Sequence, residues 1–144
     1  MDRKKNQTAL SGKRKEIAQV NAIRYPGRWA ESLSGKQAQV RDWRYIAMQL
    51  LHRNTASFRL VAIIDDVFDF DECQVLKTDE GLALAAGHCG KKTIQRELSI
   101  LYSLGLILKD EVWIDRSGNG KRVRTRRIRL AIPMDVSGIH LRDF

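Results

Sequence analysis

Six of the nine side chains from Lys121 to Arg129 are basic: Lys121, Arg122, Arg124, Arg126, Arg127 and Arg129. A guanidinium grips phosphate oxygens through a planar fork, and an ammonium attracts them as a point charge. Protecting a sheet edge takes one or two such residues; six in so short a run point to an anionic partner. A second group lies upstream, where Lys91, Lys92, Thr93, Gln95 and Arg96 follow directly on Gly90. Long polar side chains of this kind suit base edges, since Gln pairs bidentately with adenine and Arg or Lys with guanine. The glycine ahead of them leaves backbone amides open to a phosphate. Arg116 and Asn119, between the two groups, join the candidate contacts. If about six basic groups meet phosphates, log affinity falls with log salt at a slope of about −5.

Other reactive residues form no recognisable site. Cys73, His88 and Cys89 invite a metal or redox reading, but adjacent His88-Cys89 matches no zinc spacing and a fourth ligand is missing. An idle or buried thiol is the expectation. Asp65, Asp66, Asp69, Asp71 and Glu72 lack the glycine and spacing of a calcium loop and read as a solvated acidic face. His52 and His140 have no catalytic partners. No nucleophile motif, phosphate-binding glycine loop or paired carboxylate occurs. The residues therefore predict no enzyme, no metal, no cofactor and no small-molecule substrate.

The charge balance agrees with an anionic partner. The chain has 144 residues, 26 Lys+Arg against 17 Asp+Glu, and a net charge of +9. Its length suits one domain with a flexible arm. The charge is segregated: residues 1–44 carry +7, residues 45–90 carry −4 and residues 91–144 carry +6. Such segregation is characteristic of nucleic-acid binders. No apolar run is long enough to span a bilayer, which excludes an integral membrane protein. The segregated charge makes an acidic membrane surface a poorer anionic partner than nucleic acid, so no membrane partner is expected. Two cysteines build no disulfide framework, and the expected location is the cytoplasm, at the nucleoid.

The elements that must position these groups follow from periodicity. Residues 1–20 combine Arg3-Lys4-Lys5 and Lys13-Arg14-Lys15 with few large apolar groups, which predicts a disordered basic arm. The arm and its linker are taken as 1–39, with breaks at Pro26-Gly27 and a loop at 32–35. Val40–His52, with Trp43, Ile46, Ala47, Leu50 and Leu51, reads as an amphipathic helix. Phe58 to Phe68 repeats the period, after a cap at Thr55 or Ser57. Cys73–Leu76 fits a short strand. Thr78 caps a helix through Ala86 that Gly87 ends. Ile94, Leu98 and Leu101 give a stronger helix over 91–104, stopped by Gly105. Leu106 to Ile114 and Val123 to Ile132 form a hairpin around Asn119-Gly120. Ile128, Leu130 and Ile132 should face the body; Arg122, Arg124 and Arg126 continue that parity beyond it. Trp43, Trp113 and Tyr102 are expected to anchor the core.

Two short helices joined by a glycine turn, the second rich in Lys, Thr, Gln and Arg, describe a helix-turn-helix. Thr78-Asp79-Glu80-Gly81-Leu82-Ala83 through Gly87, then Lys92-Thr93-Ile94-Gln95-Arg96-Glu97-Leu98, Leu101 and Leu104-Gly105-Leu106-Ile107, resemble the bacterial winged helix-turn-helix regulators. The resemblance runs from about Thr55 to Pro133 and extends to plasmid and phage replication-control modules. The sequence departs from the family at the turn, where Gly90 replaces a polar cap and His88-Cys89 is uncommon. The expected fold is mainly α with a small β-hairpin, in the order helix, strand, helix, helix, hairpin. To this are added an extra N-terminal helix and the arm, with residues 40–144 as the DNA-binding domain. The resemblance implies double-stranded DNA as partner. It places helix 91–104 in the major groove, with Thr93, Gln95 and Arg96 on DNA and wing 112–130 on backbone or minor groove. It implies a transcription regulator, with a replication or transfer-control factor and a protein-interaction winged helix as alternatives. Val40–His52 or Ile100 offers a face for a homodimer.

Overall fold

A computed structural model describes residues 19–141, so the basic arm expected at 1–20 lies almost wholly outside the described residues. The first described element is a strand, β1 (Ala22–Arg24), followed by α1 (Leu33–Arg53), α2 (Arg59–Ala62) and α3 (Ile64–Val67). Then come α4 (Asp79–Ala85), α5 (Lys91–Ser103), β2 (Ile107–Ile114) and β3 (Val123–Pro133). Among the described residues the architecture is five helices with a three-stranded antiparallel sheet in the order β1-β3-β2. No helix among the described residues is long and apolar enough to cross a membrane.

The core forms where the apolar periods converge. Val40, Trp43, Ile46 and Leu51 of α1 meet Val61, Ile94, Leu106 and Leu130, all essentially solvent-free. Trp43 is 1 % exposed, and its indole N–H is shared between the carbonyls of Leu106 and Ala131, each at 2.9 Å. A buried indole needs such an acceptor. Here the shared bond fixes α1 against the chain entering β2 and against β3.

Several boundaries differ from the sequence expectation. Residues 32–35 are not a loop but the entry to α1. The Ser32 hydroxyl accepts from the Gly35 amide at 3.1 Å, a standard N-cap, and a Cβ on Gly35 would come within 2.7 Å of the Ala30 methyl. Gly35 therefore permits a close approach rather than breaking the helix. The linker expected through residue 39 is likewise part of the fold from its described end: β1 pairs Ala22 with Pro133, Ile23 with Ile132 and Arg24 with Ala131. Three residues are too few to show strand alternation, and their pairing partner lies at the far end of the chain.

The helix expected from Phe58 to Phe68 is two short pieces, broken at Ile63. Val61, Ile63, Ile64 and Val67 are β-branched, which weakens a continuous helix. The break lets Leu60, Val61, Ile64 and Val67 all be buried. The strand expected at Cys73–Leu76 is reduced to isolated bridges, Asp69 with Gln74 and Val75 with Ile128. Val75 thus docks on the same edge of β3 that β1 extends.

The segment around α4 and α5 follows the expectation closely. The Thr78 hydroxyl accepts from the Gly81 amide at 3.1 Å. Gly87 is left-handed at φ +84°, and His88 joins it at φ +65°. Helix α5 begins at Lys91 as expected and ends at Ser103. Gly105, at φ +78°, lies so close to Val20 and Pro133 that a Cβ there would clash.

Candidate nucleic-acid interface

Helix α5 buries Ile94, Glu97, Leu98 and Leu101, which leaves Lys91, Lys92, Gln95, Arg96 and Ser99 exposed and Thr93 half-buried. The hairpin stands beside it. Residues directly opposed on β2 and β3 share a sheet face, so Ile107, Lys109, Glu111 and Trp113 lie with Leu130, Ile128, Arg126 and Arg124. Ile107, Ile128 and Leu130 are buried, and Lys109 Nζ lies 4.4 Å from the Tyr102 ring of α5. This face therefore looks toward the helices, as the parity of the sequence predicts. Further out along it, the hairpin passes beyond the core.

A groove of about 430 Å³ separates the hairpin from the starts of α4 and α5. Its lining includes Lys91, Gln95, Arg116, Arg124 and Arg126, with Asp79 and Glu80 among them. The two acids organise the groove. Arg126 Nη1 donates to Asp79 Oδ1 at 2.7 Å and its Nη2 to the Lys77 carbonyl at 3.0 Å. Gln95 Nε2 donates to the other Asp79 oxygen at 3.1 Å. Lys91 Nζ is 3.3 Å from Glu80. Burial pushes the Asp79 carboxyl up, but the hydrogen bonds from Arg126 and Gln95 prevail and hold it below the ordinary carboxylate value.

On the opposite face of the hairpin, Arg127 grips Asp110 bidentately at 2.8 and 2.5 Å, and Arg129 reaches the same carboxylate at 3.4 Å. Arg127 and Asp110 are direct cross-strand partners. Nearer the tip, Arg124 Nε lies 3.3 Å from Glu111, and both side chains are well exposed. The Asp115 carboxylate accepts from the amides of Gly118, Asn119 and Gly120, which shapes the loop at 115–122. Asn119 Oδ1 accepts from the Lys121 amide at 2.9 Å, and Arg116 makes only a 3.3 Å bond to the Leu76 carbonyl.

The candidate residues thus divide. Lys92, Arg96, Lys121 and Arg122 are exposed, with no side-chain partner among the described residues. Arg116 and Arg124 are exposed and loosely held. Gln95, Arg126 and Arg127 are committed to carboxylates of the fold, and Lys91 to a surface acid. Asn119 serves its own turn. An expectation of about six available cations in the 121–129 run is accordingly reduced to three, Lys121, Arg122 and Arg124. Arg126, Arg127 and Arg129 are held by the half-buried Asp79 and Asp110, whereas the contact of Arg124 with Glu111 lies wholly at the surface. Trp113 also departs from its expected role as a core anchor: it is 61 % exposed.

Three participants escaped the sequence reading. Asp79 looks like an ordinary first-turn acid, Asp110 gains meaning only from strand register, and Glu97 is buried against Arg59 at 3.3 Å on α2. Alternating strand positions held the signal for Asp110 once pairing was known.

What the described residues define is a mixed helix and sheet protein with an electropositive helix and hairpin tip. No family model matches the chain, and no curated protein or solved structure matches it.

Proposed function

We propose that the protein is a sequence-specific double-stranded DNA-binding regulator of the winged helix-turn-helix kind. Helix α5 enters the major groove, and the β2–β3 hairpin acts as the wing on the flanking backbone or minor groove. One observation carries this reading: four exposed cations with no side-chain partner among the described residues, Lys92 and Arg96 on α5 and Lys121 and Arg122 on the hairpin, lie on the two elements that flank one groove. A single unpaired surface cation is ordinary, since water solvates it well. What supports the reading is that the elements bearing these four flank one groove while Asp79 and Asp110 neutralise the arginines nearer the body. Within this reading Arg96 and Thr93 are base-reading residues, and Lys121, Arg122 and Arg124 contact phosphates. Gln95 and Arg126 hold α4, α5 and the wing in their mutual arrangement through Asp79. Gln95 reads a base only by exchanging its bond to Asp79 for one to DNA.

Selection of bound duplexes from random DNA tests the proposal. An enriched site is expected, and Arg96→Ala should remove most preference for it while weak binding to unrelated duplex persists. A good bidentate base contact carries about 1–3 kcal/mol of discrimination. No enrichment for any site would overturn the sequence-specific reading, and equal loss on both duplexes would overturn the role of Arg96. A palindromic site would indicate a dimeric regulator, and direct repeats would indicate origin or transfer control.

A further inference from the structure

The three tryptophans occupy three environments. Trp43 is sealed in the core, Trp29 is half-buried with its ring 5.4 Å from Phe68, and Trp113 is exposed near the hairpin tip. Leaving an indole in water forgoes much of the largest apolar burial a side chain offers. Its location is specific. Trp113 opposes Arg124, one pair before the last of the ladder, Ile114 with Val123. It therefore projects from the helix-facing side of the hairpin, beyond the level at which Ile128 and Leu130 enter the core. The Arg124 guanidinium lies over the ring, 5.9 Å from its centroid. Lys121 and Arg122 follow within the same tip. A flat apolar ring set among exposed cations matches a partner that is polyanionic and also presents flat apolar faces.

We propose that Trp113 is a stacking contact for nucleic acid. Its indole packs against a base or deoxyribose of the duplex flank that the hairpin reaches, with Arg124 steering it and meeting the adjacent phosphate. The inference rests on the DNA-binding reading above and adds to it an apolar contact outside the helix–turn–helix. Aromatic stacking on the bases of single strands is substantial by alanine substitution, and in duplexes apolar wedges recur where proteins enter the minor groove and partly unstack a base step. Cross-strand pairing with Arg124 alone gives a Trp much less.

The test uses the full chain, a duplex of mixed sequence, and tryptophan emission. Adding duplex should quench the exposed indole, and the quench should vanish in Trp113→Phe, which keeps a stacking ring and near-normal affinity. Trp113→Ala should weaken binding about tenfold. Its slope of log affinity against log salt should stay unchanged, because an indole displaces no counterions. Duplex binding with unchanged Trp113 emission would overturn the stacking contact while leaving DNA binding intact. A flattened slope in Trp113→Ala would also overturn it, since the ring would then act only by holding Arg124. Failure to bind any duplex would overturn the DNA-binding reading itself, and the inference with it. Quenching by phosphatidylserine vesicles but not by duplex would assign the ring to a lipid surface and overturn the proposal. Should Trp113→Ala lose its circular dichroism signal, the Phe variant and the quench decide.

Discussion

The two ends of the basic run at 121–129, which leads from the hairpin loop into β3, use the same kinds of side chain for different purposes. Toward the body, Arg126, Arg127 and Arg129 are held by Asp79 and Asp110. Toward the tip, Lys121 and Arg122 have no side-chain partner among the described residues, and Arg124 has only an exposed contact with Glu111. Register alone does not divide them. Glu111 stands opposite Arg126 yet pairs with its neighbour Arg124, because Arg126 turns to the half-buried Asp79 on α4. The density of arginine along a strand therefore does not measure the charge available to a partner. What matters is which carboxylates the fold brings within reach.

The largest test of that division is to remove the tip cations together. Lys121→Ala, Arg122→Ala and Arg124→Ala in one protein should flatten the log–log salt slope by about 2.7, at roughly 0.9 per phosphate contact. Between 50 and 200 mM salt this amounts to about a 40-fold smaller loss of affinity. The urea midpoint should stay nearly constant, since exposed charges contribute little to folding. A large loss of stability would show that the tip is structural and would erase the distinction between the two ends.

Asp79→Ala probes the opposite end. It removes the acceptor shared by Arg126 and Gln95 and an acid from the first turn of α4. The expected cost is about 1–2 kcal/mol in urea unfolding, more than an exposed ion pair contributes, because the carboxylate is largely covered and accepts from two side chains. The released Arg126 becomes available to phosphate, so the salt slope should steepen by about 0.9. Unchanged stability together with an unchanged slope would mean that Asp79 does not hold the hairpin.

Legibility in the sequence follows the range of the interactions involved. Helix α5 and its neighbours could be read because their signals are local: the Thr78 cap, the left-handed Gly87, the spacing of Ile94, Leu98 and Leu101. The hairpin was legible through alternation, which placed Ile128 and Leu130 inside and Arg124 outside. Strand β1 was not, because its pairing with residues 131–133 closes a loop of more than a hundred residues. The availability of each arginine was hidden for the same reason: Asp79 and Arg126 are 47 positions apart. Trp113 misled by type, since large aromatic residues usually lie inside, and only the length of the hairpin past the core exposes it.

The smallest expected effect concerns acid and Asp110. The hydrogen bond from Arg127 holds its carboxyl below the ordinary 3.8, outweighing a small opposing effect of burial, with the charges of Arg127 and Arg129 adding to it. Because the folded value lies below the unfolded one, the pair stabilises fully above the ordinary carboxylate range. That contribution is lost as pH falls through the depressed folded value. The side chain is 38 % exposed, so solvent screens the pair and its worth is about 0.5 kcal/mol. Asp110→Asn should lower the urea midpoint slightly at pH 7, and the gap to the unsubstituted protein should close in strong acid. The same substitution unmasks two guanidinium groups on the face of the hairpin away from α5. If the duplex touches only the helix-facing side, as the tip geometry suggests, the salt slope of Asp110→Asn should match that of the original chain. A steeper slope would mean that both faces of the hairpin meet DNA, and the body-side arginines would then be latent contacts, masked by Asp110.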